Sequence, residues 1–83
     1  MTPAQARAAR ALLKLGVREV AERAKLTPNT VSRVEQDETG PRGAQPVTIE
    51  AIRRVYEELG VQFIPENGGG AGVRMAKPKG ATE

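Results

Sequence analysis

The stretch VREVAERAKLTPNTVSRVE, residues 17–35, decides the fold. Val17, Val20, Ala21 and Ala24 fall at i, i+3, i+4 and i+7, the spacing of one helix face, so a short amphipathic helix is predicted from Val17 to Ala24. A second helix starts almost at once. Thr27 carries the side-chain oxygen of an N-cap, and Pro28 suits the first helical position, where no backbone N–H is needed. Leu26 before the cap and Val31 after it are placed for a hydrophobic staple, and Val31 and Val34 point inward together. Only Lys25 and Leu26 lie between the helices, too short a turn for them to run antiparallel, so they must cross steeply as a helix-turn-helix. Asn29, Thr30, Ser32, Arg33 and Gln36 are then left facing out. Short polar groups and an arginine are the types that reach base edges and phosphates, Asn pairing with adenine and Arg with guanine.

Towards the N-terminus, Thr2, Pro3 and Gln5 form a capping box ahead of an Ala-rich stretch, 3–15, of high helix propensity. Ala6, Ala9 and Leu13, with Leu12 beside them, make its apolar side, and Arg7, Arg10 and Lys14 the other. Towards the C-terminus, residues 37–46, DETGPRGAQP, read as a loop. Thr48 is the expected cap of a fourth helix, with Val47 and Ile52 as its staple. Ile49, Ile52, Val55, Tyr56 and Leu59 form its stripe, and Gly60 its stop. VQFI, 61–64, and Val73 to Met75 read as two short strands around the Gly-rich NGGGAG, 67–72. The final KPKGATE, 77–83, is expected to be disordered.

Composition narrows the function. With 83 residues, 39% hydrophobic and only 2% aromatic, the core must be built from Ala, Val, Leu and Ile, and a core of this size gains from dimerisation. The chain has no Cys and no His, which removes disulfides, thiolate chemistry, imidazole bases and the usual zinc ligands. Ser32 is the sole serine and has no catalytic motif around it, and NGGGAG lacks the Lys and Ser/Thr of a phosphate-binding loop. No enzyme, cofactor or metal is expected. No apolar run suits a membrane span or a secretory signal, so the expected location is the cytoplasm. Formal net charge is +3, but unevenly spread: residues 1–34 carry +5, residues 35–66 carry −4 and the remainder +2. Positive charge lies where a polyanion would need it. Arg53 and Arg54, among Glu50, Glu57 and Glu58, read as a solvated helix face.

Four segments, QARAARALL, EVAERA, LTPNTVSRVE and TIEAIRRV, agree in order and spacing with the phage repressor and Cro-type helix-turn-helix family, which the chain resembles over about residues 2–60. The resemblance implies a helical bundle that binds double-stranded DNA, usually as a homodimer, with the third helix in the major groove. It implies base contacts from Pro28, Asn29 and Arg33, and backbone or capping roles for Thr27 and Thr30. It also implies a structural ion pair between Arg10 and Glu35. The chain departs from the family at three places. Gly16 and Val17 replace the usual Ser-Gln that opens the second helix, so that a phosphate contact is either lost or passes to Arg18. Lys25 replaces the usual turn glycine, where a left-handed backbone costs ~1 kcal/mol that a phosphate contact by Lys25 would offset. Pro28 offers no donor, which shifts recognition onto Asn29 and Arg33. Ser32 joins the expected backbone contacts.

The expected protein is thus mainly α, a bundle of four to five helices with a C-terminal β-hairpin. Residues 1–60 are the DNA-binding unit, 61–76 a dimerisation extension and 77–83 a tail. The apolar Val61, Phe63, Val73 and Met75 need a partner: either the strands pack on the bundle or they pair across a dimer axis, and the second is the expectation. The function expected is transcriptional regulation, most simply repression. The alternative is an antitoxin or bridging module that binds a protein partner through the segment from Val61 onward.

Overall fold

The structure is a computed structural model and describes residues 1–36 and 45–76. The expected tail and most of the expected 37–46 loop lie outside the described residues. In chain order the elements are α1 (Pro3–Leu13), α2 (Val17–Ala24), α3 (Pro28–Val34), α4 (Pro46–Glu58), β1 (Val61–Ile64) and β2 (Gly72–Met75). The protein is mainly helical, with an antiparallel hairpin at its C-terminal side, as the sequence predicts.

α1 opens on the predicted capping box: the Gln5 N–H donates to Thr2 Oγ1 at 3.1 Å, and the Thr2 N–H donates to Gln5 Oε1 at 2.9 Å. Ala6 and Ala9 are fully buried, and Leu12 is left exposed. The helix ends at Leu13, short of the Ala-rich stretch, because Lys14 turns left-handed at φ 57°. The Lys14 N–H returns to the Ala11 carbonyl and the Leu15 N–H to the Arg10 carbonyl, each at 3.1 Å, closing the end while Leu15 packs on the core. α2 ends the same way. Lys25 is left-handed at φ 61°, its N–H returns to Glu22, and the Leu26 N–H reaches the Ala21 carbonyl at 2.8 Å. A Lys-Leu pair therefore terminates both helices, the lysine bearing the backbone strain and the leucine covering the core. Lys14→Gly is expected to stabilise the fold by ~0.5–1 kcal/mol, since glycine adopts this conformation without the Cβ penalty. A thermal melt by circular dichroism would rise by ~4–8 °C per kcal/mol, and an unchanged or lower melting temperature would show that the turn carries no such strain.

α4 starts earlier than predicted. Gln45 is the N-cap and Pro46 the first helical residue, so Thr48 lies inside the first turn with its N–H on the Gln45 carbonyl at 3.0 Å. Pro46 sets a helical φ and lacks only a hydrogen that a first turn leaves unused. Val47 is accordingly 71% exposed and forms no staple with Ile52. Further along, Ile52, Val55 and Tyr56 are buried, with Ile49 and Leu59 beside them. Gly60, at φ 103°, turns the chain into β1, and a Cβ there would lie 3.1 Å from Met75 Cε.

The hairpin pairs Val61 with Met75 and Phe63 with Val73, which puts all four on one face. That face packs within the chain, the first of the two alternatives the sequence leaves open. Val61 is 3% exposed, Phe63 and Val73 pack against the core, and only Met75, at 37%, remains open. β1 lies on α4 and β2 on α1. A two-stranded ribbon cannot bury its own apolar face, and the nearest apolar surface is its own bundle. Gln5, itself buried, fastens the arrangement by donating from Nε2 to the carbonyls of Ile64 at 3.1 Å and Gly72 at 2.9 Å.

Candidate nucleic-acid interface

α3 is seven residues long, too short to persist without support. Three sets of contacts hold it. Its inward side chains, Val31 and Val34, are buried in the common core with Leu26 packed alongside. At its start Thr27 caps the Thr30 N–H at 3.3 Å, and the two threonine hydroxyls lie 2.8 Å apart. One of their two protons is committed to that bond and the other stays available.

At the far end of α3, Glu35 receives a forked pair of bonds from Arg10, Nε to Oε2 at 2.6 Å and Nη2 to Oε1 at 2.9 Å. Arg7 donates to the Glu35 carbonyl, and Arg10 also reaches the Leu15 carbonyl at 3.3 Å. Arg10 thus faces the end of α3 and makes with Glu35 the ion pair that the family resemblance implies. The hydrogen bond it donates to Glu35 holds the guanidinium pKa above its ordinary value, outweighing burial. Tyr56 lies beside this pair. Burial first, then the nearby Glu35 carboxylate, pushes its hydroxyl up to about 12 against a smaller opposing effect of Arg10.

The Tyr56 hydroxyl is buried without a hydrogen-bond partner among the described residues. A raised acid pKa means the fold prefers the neutral phenol. That contribution is complete below pH 10 and is lost as pH climbs from 10 through about 12. Tyr56 is the only tyrosine, so its phenolate absorbance reports this one site. It is expected to titrate near 12 together with alkaline unfolding, and a simple titration near 10 with the fold intact would refute the burial effect. Tyr56→Phe is expected to leave neutral-pH stability within ~0.5 kcal/mol or raise it, because no hydrogen bond is lost.

Pro28, Asn29 and Arg33 are exposed, as are Arg18 and Lys25, while Thr30 and Ser32 are half-buried. Asn29 and Arg33 are four residues apart, hence neighbours one turn along the same helix side. Neither side chain has a hydrogen-bond or ion-pair partner among the described residues. Lys25 occupies the turn immediately before this ridge. Arg18 stands apart on the first turn of α2, where the Glu19 carboxylate accepts the Gly16 N–H at 3.0 Å. An acid thus already occupies the opening of α2, where a phosphate would otherwise be attracted. Sequence reasoning missed the bond of Arg7 to the Glu35 carbonyl and the second role of Gln5. The latter had no local signal, because its carbonyl partners lie 59 and 67 residues away.

The fold and this ridge define a small helical protein in which a short turn joins α2 to α3, and α3 turns a polar, Arg-bearing side outward. No family model matches the chain, and no curated protein matches it. No helix among the described residues is long and apolar enough to cross a membrane.

Proposed function

We propose that this protein is a sequence-specific DNA-binding regulator of transcription of the phage repressor and Cro type. It acts in the cytoplasm as a homodimeric repressor, with α3 of each protomer in the major groove of an inverted-repeat operator. The observation that carries the reading is the pair Asn29 and Arg33, exposed one turn apart on a helix braced at both ends, with no partner among the described residues. Their fork-shaped polar groups suit adenine and guanine edges respectively. Pro28 packs against the bases beside them. Lys25, Thr27, Thr30, Ser32 and Arg18 serve the phosphates and fix the register.

A protein-interaction module built on the segment from Val61 onward is the weaker reading, since the apolar face of that segment is largely buried within its own chain. The test is selection of duplexes from a randomised library, followed by footprinting on the enriched sequence. An inverted repeat with half-sites ~34–36 Å apart is expected, and affinity should fall steeply as salt rises. Enrichment of no sequence would defeat the specific-binding reading. A monomer by analytical ultracentrifugation at micromolar concentration, free and on the operator, would defeat the dimer.

A further inference from the structure

α2 and α4 pack together and leave a groove of about 220 Å³ between them. Ala24, Ala51 and Val55 form its apolar floor, and Arg23, Lys25, Arg54 and Glu58 its walls. The neighbouring Arg53 is engaged within the chain: it bonds to Glu57 at 3.0 Å, lies 3.9 Å from Glu50 and sits over the Phe63 ring. Arg54 is not, and the side chains of Arg23 and Lys25 have no ion-pair or hydrogen-bond partner among the described residues. Three cations therefore ring an apolar floor with a single carboxylate among them.

We propose that this groove docks an acidic peptide segment of a partner protein. An aliphatic side chain rests on Ala24, Ala51 and Val55, and flanking carboxylates meet Arg23, Lys25 and Arg54. Glu58 accepts a backbone N–H of the peptide. The volume is below the ~300–1,000 Å³ of small-molecule sites, which suits one anchoring side chain better than a cofactor. A nucleic-acid backbone fits less well, because it would leave the apolar floor empty and set a phosphate against Glu58. The groove shares Lys25 with the proposed DNA contacts, so a docked peptide would compete with DNA for that charge and weaken operator binding. That consequence rests on the DNA-binding reading, whereas the docking does not.

The test uses the full chain, isotope-labelled for amide NMR, with three probes: a fluorescein-labelled peptide of Glu-Leu repeats, an all-Glu peptide with the same number of carboxylates, and a duplex of random sequence. The Glu-Leu peptide is expected to bind saturably and to shift amides at 23–25 and 51–58. Arg54→Glu should weaken it ~10-fold or more by setting like charges together, while Arg74→Glu on the hairpin leaves it within ~2-fold. If Arg54→Glu fails to melt like the wild type, Arg54→Gln with the same readout replaces it. Equal affinity for the all-Glu peptide would overturn the proposal by reducing it to diffuse charge. So would equal losses in the two Glu variants, or groove shifts produced by the duplex and not by the peptide. Peptide docking with no operator selected would sink the DNA reading alone. An operator with no peptide docking would sink this proposal alone.

Discussion

Glu35→Ala is expected to destabilise the fold by ~3 kcal/mol, near the lower end of the range for breaking a buried ion pair. The Glu35 side chain is 9% exposed and holds both bonds of the Arg10 fork, whereas Arg10 at 28% keeps some access to water, which moderates the cost. A domain of this size has ~5–15 kcal/mol in total, so the loss is a large fraction. A fall in melting temperature of ~10–20 °C follows. Glu35→Gln should lose less, because it keeps the shape and one acceptor. The same variant should weaken DNA binding, since α3 loses the anchor at its C-terminal end. A melting temperature within ~3 °C of wild type would reduce the pair to a surface contact worth ~1 kcal/mol or less, and the bracing of α3 would fall with it.

Arg33→Ala is expected to cost ~1–3 kcal/mol of operator affinity and to relax the base preference at one position of each half-site. Lys25→Ala should behave differently. It should weaken all sequences alike and reduce the salt slope by ~1, as a phosphate contact does. The contrast is the informative part, because Arg33 lies on the outward side of α3 and Lys25 in the turn before it. Titrations of both variants against the selected operator and a scrambled duplex, at two salt concentrations, check it. Uniform weakening by Arg33→Ala would move Arg33 to the backbone set, and unchanged binding would remove it from the interface.

Much of this protein is legible in the local chemistry of its chain. The periodicity of Val17 to Ala24 sets α2, the Thr27-Pro28 cap sets the start of α3, and the Thr2-Gln5 box sets the start of α1. These are interactions among residues three or four apart, so the chain carries them wherever it lies. The same holds for the outward pattern of α3, a consequence of Val31 and Val34 pointing in. The early start of α4 is also locally encoded, since Pro46 outranks Thr48 as a start signal. The Lys-Leu pair at 14–15 likewise marks the end of α1, although the Ala-rich composition around it points to continuation.

Tertiary structure alone decided which way the hairpin face turned, what Gln5 holds besides its own cap, and which cations are left open. Val61, Phe63 and Val73 have the same alternation whether they meet a second subunit or their own α1 and α4. Arg53 and Arg54 are alike in sequence, yet one sits over Phe63 and the other lines a groove. Periodicity specifies that a side chain has an apolar or charged environment to find. Which surface supplies it depends on contacts between residues tens of positions apart, and these exist only once the chain has closed on itself.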